Sequence, residues 1–207
     1  MPSAAVDGLW AIGELGLGGD LRGVRGALAT AMAARDARAR LLLVPCDNLG
    51  EAALVPGVRV AGASSLRQVG GWLRAQASLD APGPARPAPS RPAEDLADVR
   101  GQLLARRALE IAAAGGHNLL LVGPPGSGKT MLARRLAGLL PDLDRDESLE
   151  VTQVRSAAGL LPPDAPLATA RPFRAPHHAI SVAGLIGGGS RVPRPGEVSM
   201  AHARVRE

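Results

Sequence analysis

An α/β protein in two parts is what the sequence predicts: short apolar runs alternate with helical patterns up to residue 77, and a proline-rich stretch follows. Beyond it, an apolar run passes through a glycine-rich turn into a further helical pattern. With 207 residues, 46% hydrophobic and 21% charged, the chain can bury a core and is too apolar to be disordered throughout.

Residues 24–35 form an alanine-rich helical pattern, 41–44 a short buried strand and 58–61 another. Ser64 or Ser65 can cap a helix whose Leu66, Val69, Trp72 and Leu73 share one face. Residues 1–77 therefore read as an α/β domain, and its abrupt start leaves no room for earlier strands, so part of a domain is expected. Residues 78–93 hold five prolines and no apolar periodicity, the composition of a linker. A second domain is expected over 94–207. Its first helix, 101–114, carries Leu104, Ala108 and Ile111 on one face and is closed by Gly115 and Gly116. The run 119–122, Leu-Leu-Leu-Val, is short enough for a buried parallel strand, and a helix over 131–140 stops at Pro141. Residues 149–158 suit a short helix or strand, and from 162 the chain is rich in Gly, Pro and Arg.

Composition narrows the function. A single cysteine, Cys46, permits no intramolecular disulfide and no cysteine-based zinc site. No run of about 18 apolar residues and no secretory leader pattern occurs, so a cytoplasmic chain with no membrane partner is expected. A net charge of +5 and a pI near 11.0 suit nucleic acid, whereas only three aromatics (Trp10, Trp72, Phe173) argue against base stacking. Of the 24 basic residues, 23 are arginine; the one lysine is Lys129.

That lysine sits in Gly123-Pro124-Pro125-Gly126-Ser127-Gly128-Lys129-Thr130, a full match to GxxxxGK(S/T) between a strand and a helix. Chance gives such a match in about one chain in a thousand of this composition. The glycines let backbone N–H groups turn toward a β-phosphate, and the following helix aims its positive end at the same anion. Lys129 then bridges β- and γ-phosphates, and Thr130 ligates Mg²⁺ through its hydroxyl. The competing reading is a glycine turn with no ligand. Hydrolysis needs a second apolar strand ending in Asp or Asp-Glu, and none follows Thr130; the run 41–47 ends in Asp47 but is broken by Pro45. The residues predict nucleotide binding and supply no usual means of activating water.

Asp98-Val99-Arg100-Gly101-Gln102, the stretch from Ala108 to His117-Asn118, and the phosphate loop running into Met131-Leu132-Ala133-Arg134-Arg135-Leu136 together resemble the magnesium-chelatase-like AAA+ ATPases of the YifB/ComM type. Further matches are Glu150-Val151-Thr152, Arg171-Pro172-Phe173-Arg174-Ala175-Pro176-His177-His178 and Pro195-Gly196-Glu197-Val198-Ser199-Met200-Ala201-His202. Gly13-Glu14-Leu15-Gly16-Leu17-Gly18-Gly19-Asp20-Leu21-Arg22-Gly23-Val24-Arg25-Gly26 resembles the second half of the Lon-like, S5-type domain that precedes the ATPase module in this family. The resemblance implies a partial Lon-like α/β domain followed by the N-terminal part of a P-loop AAA+ parallel-sheet domain. It implies ATP and Mg²⁺ as cofactors, a hexameric ring of identical subunits, and ATP-driven remodelling of DNA, with branch migration in natural transformation as the role of ComM-type members. A Lon-type Ser/Lys dyad is excluded, since no lysine precedes Lys129. Family members continue from Ala201-His202 into an apolar strand closing in Asp-Glu, where this chain reads Ala203-Arg204-Val205-Arg206-Glu207, so two incomplete domains are expected. A magnesium-chelatase motor subunit and a nucleotide-binding remnant without activity are the alternatives; the Lon-like segment argues against the first.

Residues 171–207 hold six arginines against two glutamates. Arg171, Arg174, Arg191 and Arg194 are candidate DNA contacts, with a solvated loop as the competing reading. His177, His178 and His202 lack a carboxylate or cysteine at ligand spacing, so a loop role is favoured over a metal site.

Overall fold

The computed structural model describes residues 6–84, 94–162, 164–177, 179–189 and 193–202, so Arg191 and His178 lie outside the described residues. The chain divides into two compact units, Met1–Ala88 with Thr152–Leu167, and Pro89–Val151 with Ala168–Glu207.

In the first unit the order is β1 (Leu9–Ala11), β2 (Glu14–Leu15), β3 (Leu21–Arg22), α1 (Ala27–Asp36), β4 (Leu41–Pro45), α2 (Cys46–Ala52), β5 (Val60–Ala63) and α3 (Leu66–Leu73). A parallel sheet of order β1-β4-β5 sets Trp10 opposite Leu42 and Leu42 opposite Val60. The central strand β4 is apolar without alternation because Leu42, Leu43 and Val44 are all buried, as a strand covered on both faces requires. Ala27, Leu28, Ala31 and Ala34 of α1 supply a buried stripe at helical spacing. The sequence finds two strands in this sheet; the structure adds β1 as a third, and β2 with β3 form a hairpin pairing Glu14 with Arg22. The second strand also sits two residues later than expected. Gly62 is buried there beneath Leu49, whose Cδ2 would lie 2.9 Å from any Cβ at that position.

Polar capping organises the helices. Gly26 stands at the start of α1 with φ 78° and no side chain to offer, and Glu51 of α2 takes over, its Oε1 accepting the Leu28 N–H at 2.9 Å. Asn48 accepts from the Val24 N–H and donates to the Val24 carbonyl, both at 2.8 Å, and also donates to Glu51 Oε2 at 3.2 Å. The Ser156 hydroxyl donates to Glu51 Oε1. Ser65 caps α3 as anticipated, accepting the Gln68 N–H at 3.2 Å. On α3, Val69, Trp72 and Leu73 are half-buried but Leu66 is exposed, because the first turn of this short helix carries it outward.

The expected linker begins as sheet edge. Asp80 exchanges backbone hydrogen bonds with Gly62 at 2.8 and 2.9 Å, and Ser78 accepts from the Gln68 amide. This places the Asp80 carboxylate where the Cys46 thiol donates to it at 3.1 Å. Although Cys46 is exposed as a residue, partial burial of its sulfur and then the Asp80 carboxylate hold the thiol well above the ordinary range, at about 11. Alkylation by iodoacetamide at pH 8 should therefore run about 100-fold slower than for an unshifted thiol, and Asp80→Asn should speed it. A rate inflection near pH 8.5 in the unaltered protein would contradict this assignment.

The second unit contains a 3-10 turn (Leu96–Asp98), α4 (Leu103–Gly115), α5 (Lys129–Leu139), the start of α6 (Arg145–Ala157), α7 (Val182–Ile186), β6 (Gly187–Gly188) paired antiparallel with β7 (Arg194–Pro195), and α8 (Glu197–Met200). Leu96, Val99, Leu109 and Leu132 form its main core, with Ala105, Leu121, Leu136 and Leu139 around it. Two expectations need correction. The buried face of α4 is Ala105, Leu109 and Ala112, one residue out of phase with the stripe read from sequence; Leu104 and Ile111 are exposed. The run 119–122 is not a buried strand: no described residue pairs with it, and Leu120 and Val122 are each 85% exposed. A parallel strand is buried by its neighbours, and the described residues of this unit supply none. Gly116 closes α4 in the left-handed conformation as expected. Of residues 149–158, all but the last prove helical within α6, whose N-terminus is fixed by a reciprocal box in which Glu147 N–H donates to Asp144 and Asp144 N–H to Glu147.

Candidate functional site

Residues 123–130 join the run 119–122 to α5, which starts at Lys129. Gly126 and Gly128 adopt φ of 78° and 81°, conformations that L side chains rarely adopt. At Gly128 space also matters, since a Cβ there would meet the Gln102 amide nitrogen at 3.1 Å and Met131 Cε at 3.3 Å. The Ser127 N–H closes a turn on the Pro124 carbonyl at 3.3 Å, and the Leu132 N–H begins the helical ladder on Gly128 at 2.9 Å. The Lys129 ammonium folds over the loop, donating to the carbonyls of Gly123 and Pro124 at 2.7 Å each and to Ser127 Oγ at 3.2 Å. Thr130 is exposed in the first turn of α5.

The chemical capacity follows from these parts. Sharp glycine turns before a helix N-terminus give free backbone N–H groups and a positive dipole end to an oxyanion. Lys129 adds the loop's single full positive charge on a flexible stem, beside an exposed hydroxyl suited to a hard cation. The eight residues are contiguous in sequence, and the structure sets Lys129 over the loop with Thr130 exposed in the first turn of α5.

The candidate DNA-binding arginines separate. Arg171 turns inward: its guanidinium pairs with buried Glu147 at 3.0 Å and its Nε donates to the Pro141 carbonyl at 2.8 Å, leaving the side chain 10% exposed. A DNA-contact role for Arg171 would require giving up this nearly buried pair. Arg174 forms a two-pronged pair with Glu197, whose carboxyl it holds below the usual glutamate range while its own pKa rises. The contribution of this pair is complete at neutral pH and is lost only as pH falls through the lowered Glu197 value. A DNA-contact role for Arg174 would require giving up that pair. Arg194 on β7 is exposed and makes no ion pair among the described residues. The histidines lie apart in their bonding: His117 N–H continues the end of α4, His177 Nδ1 accepts from Ala179 N–H, and His202 meets Glu150 at 2.9 Å. Phe173, Arg174, Pro176, His177, Ile180 and Glu197 line a depression of about 450 Å³.

Gln102 is the neighbour of the loop that motif reading does not single out. Its Nε2 donates to the Ser127 carbonyl at 3.2 Å. The signal available in sequence was its place before a helix, within the family-like block from Asp98 to Gln102.

A family described as magnesium chelatase, subunit ChlI, matches residues 95–205. The chain is 53% identical over 194 residues to an uncharacterized protein of Mycobacterium tuberculosis, covering 94% of this chain and 39% of that protein. It is 44% identical over 191 residues to the uncharacterized protein YifB of Escherichia coli, covering 92% of this chain and 37% of the relative. To the competence protein ComM of Haemophilus influenzae it is 42% identical over 197 residues, again 92% of this chain and 38% of the relative. The chain thus spans less than two-fifths of the length of these curated relatives.

Proposed function

The chain belongs to the magnesium-chelatase-like family of the YifB/ComM type, and from that premise we propose that residues 123–130 bind the phosphates of ATP together with Mg²⁺. The observation that carries this reading is the loop itself: a complete GxxxxGKT with left-handed Gly126 and Gly128, ending in a helix that begins at Lys129. Lys129 holds the β- and γ-phosphates, Gly126 and Gly128 let the backbone approach them, and the Thr130 hydroxyl supplies the Mg²⁺ ligand. When bound, ATP·Mg²⁺ brings the phosphoanhydride whose cleavage powers motors of this type.

Binding rather than turnover is the activity proposed for residues 123–130, because the loop itself contains no carboxylate to activate water. The proposal includes a Lon-like part ahead of the linker, an ATPase part after it, and assembly into a ring of identical subunits. The whole protein's work is proposed to be remodelling of DNA. The name of the competence protein ComM supports that substrate, as does the basic excess of residues 171–207 with Arg194 exposed. The match extends through the first unit at 92% coverage, which favours this branch over a chelatase motor subunit. ATP binding and phosphate release are to be measured with and without DNA. The expected result is saturable ATP binding with phosphate release at background. DNA-stimulated release that is lost on Lys129→Ala would overturn the binding-only part of the proposal.

A further inference from the structure

Three non-glycine residues in the described structure have positive φ: Arg38 at 54°, Ala75 at 56° and Gln102 at 51°. Arg38 and Ala75 follow the ends of α1 and α3, where a left-handed residue commonly closes a helix. Gln102 stands instead at the start of α4, where the capping residue is ordinarily extended, and its side chain makes no cap to its own helix. Gly101 before it is also left-handed, at 71°. A bulky residue held this way costs free energy, and that cost asks what the conformation achieves.

The side chain gives the answer. With the backbone so turned, the Gln102 amide reaches across to the phosphate loop and donates to the Ser127 carbonyl at 3.2 Å. It lies so close that a Cβ on Gly128 would meet it at 3.1 Å. The Ser127 carbonyl and the Gly128 N–H belong to one planar trans peptide, so they point in opposite directions. Fixing the carbonyl toward Gln102 therefore aims the Gly128 N–H away from Gln102.

We propose that Gln102 is a positioning residue for the phosphate loop: its amide pins the 127–128 peptide in the orientation that presents the Gly128 N–H to an oxyanion. The inference rests on the phosphate-binding reading of residues 123–130. It assigns Gln102 to the phosphates and not to the base of a nucleotide.

The test uses the full chain and two probes, ATP and inorganic tripolyphosphate, with affinity read by calorimetry for the unaltered protein and for Gln102→Ala, Gln102→Asn and Gln102→Glu. Asparagine tolerates the left-handed conformation and keeps an amide, but is one methylene too short to reach Ser127, so this variant folds and still lacks the contact. Both Gln102→Ala and Gln102→Asn should lose about 3- to 10-fold in affinity, equally for ATP and tripolyphosphate, with the thermal unfolding midpoint little changed. Gln102→Glu should lose at least as much, since a carboxylate cannot donate to a carbonyl and adds negative charge beside the phosphates. Loss for ATP with none for tripolyphosphate overturns the inference in favour of a base contact. Equal affinity across all variants overturns the positioning role alone. An unaltered chain that binds neither probe overturns the phosphate-site reading itself and this inference with it.

Discussion

Lys129→Ala should lower affinity for ATP by about 100-fold, or ~2.7 kcal/mol, the scale of losing a charge-assisted contact to phosphate. The alanine removes the one lysine of the chain, whose Nζ already lies over the loop at 2.7 Å from the Gly123 and Pro124 carbonyls. Because those carbonyls are on exposed residues, water can replace the ammonium there, and the fold should survive the change. Lys129→Arg should also bind poorly. The planar guanidinium is bulkier and directs its donors in a fixed fork, so it cannot stand as a compact charge between two phosphates. The measurement is a competition titration against a fluorescent nucleotide, and unchanged affinity in Lys129→Ala would sink the assignment of the cradle.

Glu51→Ala should be among the most destabilising single changes in the first unit, at about 2–4 kcal/mol. The carboxylate is buried, 7% exposed, and accepts from the Leu28 N–H, the Asn48 amide and the Ser156 hydroxyl. Alanine leaves three donors without this acceptor and removes the side-chain acceptor of the Leu28 N–H at the start of α1, where Gly26 provides none. Glu51→Gln keeps one acceptor oxygen but sets an amide against the Asn48 amide, so about 1 kcal/mol is expected. Urea unfolding followed by tryptophan fluorescence isolates the effect, because Trp10 and Trp72 both lie in the first unit and the chain has no other tryptophan. A midpoint for Glu51→Ala equal to that of the unaltered chain would contradict the capping role.

What could be read in the sequence was what local pattern controls. The central strand β4 is a continuous apolar run, α1 carries its alanine stripe, Ser65 and Gly116 are ordinary cap residues, and the phosphate loop is a contiguous motif. What could not be read depends on distant partners. The strand β1 has only Leu9, Trp10 and Ala11, and exists by pairing with residues 41–43. The helix α2 escaped notice because two of its buried positions are polar, Asn48 and Glu51, and their reason for burial lies in α1 and at Ser156. On α4 two stripes one residue apart are both helical in spacing, and packing against Leu96, Val99 and Leu132 selects the one containing Leu109. Arg171 looks like any arginine in a basic segment until Glu147, 24 residues earlier, is seen to hold it. At the candidate site the GxxxxGKT motif was legible and Gln102 stood in a family-like block, but the contact of Gln102 with Ser127 was not, because it spans 25 residues and arises from an unusual backbone turn.

The most direct measurement is an equilibrium titration of the unaltered chain with ATP, ADP, AMP and adenosine, each with and without Mg²⁺. If residues 123–130 cradle phosphates, ATP binds saturably at one site per chain. Affinity then falls as phosphates are removed, steeply once the β-phosphate is gone, and Mg²⁺ favours ATP through Thr130. Equal binding of ATP and adenosine, or no saturable binding of ATP, would contradict a phosphate site in this loop.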